Sequence, residues 1–189
     1  TERAPRQNVI AFAVDNDGGR AYATGDGMLT HAERGGSGGR GDMAIIGSFR
    51  LRAMVLDGNR VFYATDTELF EVPVPEPPGE HVIPRARLPF TGTVTSLALS
   101  RGRVVVAGTG GAAIYPAIEA LPVVVGTPAV AVTAKPDGTE LYLLDPQGTV
   151  HVVDPSTGGT SRSFSGPVGT ALAYVEAPKR LFVARADTP

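Results

Sequence analysis

The sequence predicts an all-β protein built as a β-propeller of about five blades, four complete and a fifth partial. Three observations carry this. First, one strand recurs: Arg20-Ala-Tyr-Ala-Thr, Arg60-Val-Phe-Tyr-Ala-Thr, Arg103-Val-Val-Val-Ala, Glu140-Leu-Tyr-Leu-Leu and Arg180-Leu-Phe-Val-Ala. The starts lie 40, 43, 37 and 40 residues apart, which is the length of a four-stranded blade. Second, every candidate element is short, β-branched or aromatic, and bounded by Gly, Pro or Asp. Helical solenoids of similar period do not read that way. Third, 24 glycines and 16 prolines in 189 residues suit a fold made of many tight turns.

The best copy of the repeat is Lys135–Gly158, KPDGTELYLLDPQGTVHVVDPSTG. Pro136-Asp137-Gly138 is a turn in which proline presets φ and glycine supplies a positive φ. Glu140–Leu144, the turn Asp145–Gly148, Thr149–Asp154 and the closing turn Pro155–Gly159 follow. Before each recurring strand sits another, rich in small residues: Val9–Val14, Leu51–Leu56, Val94–Leu99, Ala129–Ala134 and Gly169–Tyr174. Small side chains fit the innermost strand, where neighbouring blades crowd the axis. Third strands are expected at Met28–His31, Glu68–Val72, Ala112–Tyr115 and Thr149–Val153. Outer strands are expected at Met43–Phe49, His81–Leu88, Leu121–Val125 and Thr160–Phe164.

These elements make one domain over residues 1–189, with blades at about 8–49, 50–90, 93–127, 128–166 and 167–189. The fifth has two strands. Residues Thr1–Asn8 or a partner could complete it, or the chain could belong to a larger ring. Two insertions stand out. Glu33–Asp42, ERGGSGGRGD, reads as a glycine-rich loop on the first blade. Pro73–Pro84, PVPEPPGEHVIP, reads as an extended excursion on the second.

The formal net charge of −2 argues against bulk attraction to nucleic acid or an anionic membrane. Without cysteine there are no disulfides, thiolate metal sites or cysteine nucleophiles. No run approaches the roughly 18 apolar residues of a membrane span. The chain opens on TERAPRQN, without an initiator methionine or apolar leader, so either a removed segment or an excerpt is expected. The basic residues are almost all arginine, the habit of a GC-rich bacterial genome.

The template stretch resembles the repeat of the YVTN and lactonase-like β-propellers: a PDG turn, an aromatic-bearing strand, a second hairpin and a closing D-x-x-T-G. The similarity is good over residues 129–159, and the NHL repeats are a close second. It implies a propeller blade rather than an activity, because such propellers include sugar lactonases, surface and periplasmic binding proteins, and accessory subunits.

Residues that could carry chemistry do not assemble into a site on sequence grounds. His31, His81 and His151 fall at different blade positions and read as isolated strand and loop histidines. Asp15-Asn-Asp-Gly-Gly19 begins like a calcium loop but puts glycine at position 5, and it reads as a turn. Gly108–Gly111 and Gly35–Gly41 precede no helix and lack G-K-[ST], so they are not phosphate cradles. Arg40-Gly-Asp42 is a chance tripeptide. No G-x-S-x-G is present, and the inner strands offer mostly Ala, Val and Leu, with Thr95, Ser96, Thr133 and Thr170 as mild exceptions. Neither a catalytic residue, a metal site nor a cofactor is expected.

The function these readings favour is a non-catalytic propeller acting as a protein–protein interaction module. It would be an accessory or scaffolding subunit of a larger complex, a membrane complex among the candidates, outside the cytoplasm of a bacterium. Expected partners are other protein subunits and not nucleic acid. The expected contacts are Arg34, Arg40 and Asp42 in the first insertion and Pro73, Pro75, Pro77 and Pro78 in the second. The alternatives are a lactonase-like enzyme or small-ligand binder using the central channel, and an excerpt of a longer surface recognition protein.

Overall fold

The structure is a computed structural model. It describes residues 51–73 and 83–185 throughout, and the backbone pairing of four strands within residues 9–45. The first sheet holds β1 (Val9–Val14), β2 (Arg20–Thr24), β3 (Met28–Ala32) and β4 (Gly41–Ile45). The second holds β5 (Ala53–Asp57), β6 (Arg60–Ala64), β7 (Glu68–Pro73) and β8 (Arg85–Arg87). The third holds β9 (Val94–Ser100), β10 (Arg103–Gly108), β11 (Gly111–Tyr115) and β12 (Val123–Val125). The fourth holds β13 (Ala131–Ala134), β14 (Leu141–Leu144), β15 (Thr149–Val153) and β16 (Thr160–Ser165). A hairpin of β17 (Ala171–Val175) and β18 (Arg180–Ala184) ends the series.

Each sheet is an antiparallel meander in chain order. The innermost strands pack in sequence, β1 on β5, β5 on β9, β9 on β13 and β13 on β17. Four four-stranded blades and half of a fifth therefore fan about a common axis, the architecture the repeat predicts. Inner and recurring strands fall within two residues of their expected bounds.

Period-2 alternation splits every sheet between two cores. In the second blade Val61 and Tyr63 face backwards, joining Met54, Leu56, Phe70 and Val72. Phe62 and Ala64 face forwards and join Val104 and Val106 of the third blade. Val105 and Ala107 then face forwards to Leu141 and Leu143 of the fourth. Tyr142 and Leu144 face forwards to Leu172, Tyr174, Leu181 and Val183 of the last hairpin. The Tyr142 and Tyr174 rings stack across that boundary, with centroids 5.5 Å apart. Burying one such aliphatic or aromatic side chain stabilises the fold by roughly 1.5–3 kcal/mol, so the cores between the blades hold the array together.

Turn chemistry is as the repeat requires. Gly138 and Gly148 have φ of 67° and 87°, which a side chain rarely tolerates. At Gly148 a Cβ would also lie 2.8 Å from the Gly166 carbonyl oxygen. Asp137, Asp145 and Asp154 each accept the backbone N–H two residues on, the Asx turn that favours aspartate there.

The outer strands depart from expectation. β4 begins at Gly41 and pairs Gly41 with His31 and Asp42 with Thr30, so these two residues belong to the sheet and not to the glycine-rich loop. β8 and β12 shrink to three residues each. Pro73 closes β7 opposite Arg60. The Glu71 N–H reaches the Pro84 carbonyl beside β8. The N–H that Pro73 lacks would point the same way, past the end of β8, where no strand among the described residues needs it.

Candidate functional site: the outer edge of the fourth blade

β16 differs from the other outer strands described in full. It runs six residues, Thr-Ser-Arg-Ser-Phe-Ser, and all six are exposed. Edge strands are normally kept short or charged, because their free N–H and C=O groups invite another strand. β8 and β12 are short, and β8 carries two arginines. β16 has a single charge, Arg162, and Glu140 takes it at 3.0 Å. The remaining positions are hydroxyls and one phenyl ring.

Both faces of this edge are pinned to the blade. On the face towards the last hairpin, Arg162 holds Glu140, and the Tyr142 hydroxyl donates to the other oxygen of Glu140 at 2.7 Å. Burial raises the Tyr142 phenol above its usual range, and the neighbouring Glu140 adds to the rise. It stays a donor at any ordinary pH.

On the opposite face runs a chain of three polar side chains. Asp145 Oδ2 lies 2.9 Å from His151 Nε2, and His151 Nδ1 lies 3.0 Å from Ser163 Oγ. His151 and Ser163 are direct cross-strand partners, while Asp145 occupies the turn that leads into β15. Burial pushes the Asp145 carboxyl up, but hydrogen bonds from His151 and from the Thr149 and Gln147 N–H groups outweigh it. The net result is a carboxyl below its ordinary range.

A serine beside a histidine–aspartate pair has the composition of a nucleophile and its base. Acyl transfer further needs fixed donors where an oxyanion would form. Here the neighbouring N–H groups on the β15 side serve the ladder to β16. The chain instead locks Ser163 and fixes the register of the strand that carries it. His151 is therefore not the isolated strand histidine the sequence suggests. Its pairing needs the register of the third and fourth strands, and the spacing D-P-Q-G-T-V-H is the only sequence trace of it.

A second polar cluster joins blades. Asp66, in the turn after β6, accepts the Arg52 guanidinium at 2.6–3.0 Å and the Val94 N–H of the next blade at 3.0 Å. Thr95 Oγ1 donates to the carbonyls of Ala107 and Ala129, and Ser96 Oγ accepts the Val132 N–H. Two of the four polar residues picked out for a channel site thus tie the third blade to the fourth.

The expected contact residues divide. Asp42 and Pro73 lie in β4 and β7. Arg34, Arg40, Pro75, Pro77 and Pro78 lie outside the described residues, as does His81. Among the described residues there is no group of three or more His, Asp or Glu placed to hold a metal ion. Nor, among them, is any helix long and apolar enough to cross a membrane.

No family model matches the sequence, and no curated protein matches it either. Solved structures do. The chain is similar to the C-terminal WD40 domain of Sif2, with a TM-score of 0.70 at 12% identity, over 95% of this chain and 55% of that one. It is also similar to the Neurospora crassa Pan2 WD40 domain, with a TM-score of 0.65 at 13% identity, over 92% of this chain and 59% of that one. Identity this low speaks for the fold alone. The chain has the fold of a β-propeller and spans less than two thirds of the length of either of these domains.

Proposed function

We propose that the chain is a protein-interaction propeller, a non-catalytic accessory or scaffolding subunit whose partner adds a strand to β16. One observation carries this reading: a six-residue outer edge, exposed throughout, pinned on both faces and left open along its length among the described residues. A rigid, unpaired edge gives an incoming extended peptide main-chain hydrogen bonds without an ordering cost on the receptor side. The WD40-like fold supports such a role in general, since propellers commonly present protein-binding surfaces.

The finer assignments have separate supports. The arginine-dominated basic composition supports a bacterial setting; the resemblance to propellers that include surface and periplasmic proteins supports an extracytoplasmic one; and the two long insertions support membership of a larger, membrane-associated complex. Arg34, Arg40, Asp42, Pro73, Pro75, Pro77 and Pro78 are proposed as secondary contacts on the first two blades.

The test is affinity capture from a bacterial envelope extract, with mass spectrometry of what is retained. The bait is the 189-residue chain, compared with a Ser161→Lys/Ser165→Lys variant that places two unpaired charges on the edge. Retention by the wild type and at least tenfold less by the variant is the expected result. Equal retention by both, or none by either, overturns the reading.

A further inference from the structure

The ladder inside the fourth blade fixes which groups β16 turns outwards. The Asp145 N–H donates to the Thr149 carbonyl at 2.9 Å, and the Gly166 N–H donates to the Gly148 carbonyl at 2.8 Å. In an antiparallel ladder, hydrogen-bonded and non-hydrogen-bonded pairs alternate. Thr149 therefore turns its main-chain groups towards the β14 side, and its pair with Ser165 is a non-hydrogen-bonded one. The same phase recurs two residues on, where His151 lies between Leu143 and Ser163. The N–H and C=O groups of Ser163 and Ser165 thus point away from β15, along the outer edge. Those of Phe164 point inwards to Val150.

We propose that a second copy of this chain pairs with this edge, antiparallel, about a two-fold axis at Phe164. The inference rests on the same open edge as the capture reading and assigns its partner-free form. Around that axis Ser163 of each copy lies opposite Ser165 of the other. Each of these pairs exchanges two main-chain hydrogen bonds, so every outward group of both serines is satisfied. The Phe164 ring, 44% exposed, meets its own copy in the pair between them, where cross-strand side chains come closest. Arg162 keeps Glu140 and faces Gly166 of the other copy, a position without a side chain.

Neighbouring registers fit less well. With the axis at Ser163, Ser165 would face Ser161, where the ladder to β15 shifts between Val152 and Val153. With the axis at Arg162, two guanidiniums would oppose each other, a destabilising like-charge pair. The contact at Phe164 is self-complementary and closes at two copies, which shields the edge from open-ended pairing. A partner strand has to displace the second copy, so self-pairing regulates capture.

The chain has no cysteine, so Phe164→Cys carries one thiol and can form a disulfide only between copies. Non-hydrogen-bonded partners lie about 4.5 Å apart at Cα, within the disulfide range of about 4.4–6.8 Å. The experiment is light scattering over a dilution series on the purified chain and on Ser165→Pro, then mild oxidation of Phe164→Cys and Leu121→Cys. Leu121, just before β12, is 93% exposed and reports random collision. We expect the wild type to form a reversible species of twice 19.6 kDa. Ser165→Pro removes an outward N–H and leaves the blade's own ladder whole, as edge positions allow. It should weaken the dimer about tenfold or more. Phe164→Cys should be trapped as a covalent dimer under conditions that leave Leu121→Cys monomeric, and this pair decides alone if Ser165→Pro fails to fold. A wild type that stays monomeric at all concentrations, a dimer unchanged in folded Ser165→Pro, or equal crosslinking at both cysteines overturns the proposal. A monomer that still captures an envelope protein through β16 leaves the capture reading standing. A dimer that captures nothing overturns that reading and not this one.

Discussion

Phe62 and Phe182 are the same residue type at the same position of the same repeat, and they live in different surroundings. Phe62 points forward into a core completed by Val104 and Val106 of the next blade, and is 2% exposed. Phe182 points forward, away from the fourth blade, meets no further blade among the described residues, and is 51% exposed. The backbone pairing around them matches: Phe62 lies opposite Val55, and Phe182 opposite Ala173. What differs is the sheet across the gap. In a propeller, local sequence makes the blade, and the neighbour decides whether its face is core or surface.

The sharpest way to break this contrast is to truncate both rings. Phe62→Ala should cost about 3–5 kcal/mol in denaturant unfolding, because the cavity opens in a closed interface. Phe182→Ala, measured on dilute protein, should cost less than about 1 kcal/mol. Equal losses would mean that the last hairpin is already covered.

Next in size is the link between blades. Asp66→Ala leaves the Val94 N–H, part of a 3%-exposed residue, without its side-chain acceptor and frees Arg52. We expect a loss of about 1–3 kcal/mol by the same assay, with hydrogen exchange rising at the start of β9 before it rises in β10.

Acid should act through the fourth blade. The Asp145 carboxyl titrates below its ordinary value because its charged form holds His151, Thr149 and Gln147. A depressed native pKa stabilises the fold above the unfolded value of about 3.9. That contribution is lost as the pH falls from there through the lowered native value. Thermal melts of Asp145→Asn should therefore show a flatter decline below about pH 4 than the wild type. Parallel curves would remove Asp145 from the explanation.

The smallest effect is expected at Arg162→Ala. Its partner Glu140 is half-buried, but the guanidinium is 62% exposed, and such a pair contributes at most about 1 kcal/mol. Capture through β16 should persist in this variant, since the edge itself is unchanged.

Much of the fold is legible in the sequence because turn chemistry is local. Pro136-Asp137-Gly138, Asp145–Gly148 and the 40-residue spacing locate the inner hairpins without knowledge of anything across the sheet. The outer strands are harder to read. Gly41 and Asp42 look like loop residues, yet β3 recruits them into β4, and pairing on one side only leaves little burial pattern to betray a strand. The Asp145–His151–Ser163 chain is illegible for a related reason: it exists only once β14, β15 and β16 are in register. Phe182 misleads in the opposite direction. Its sequence is that of a core position, and no residue near it records that its forward face is exposed.

Amide hydrogen exchange, followed strand by strand, bears most directly on the contrast between a covered and an uncovered blade. The buried strand β14 should exchange slowly, as buried ladders do. β18, with its forward positions exposed, should exchange markedly faster. Protection of β18 equal to that of β14 would contradict the account.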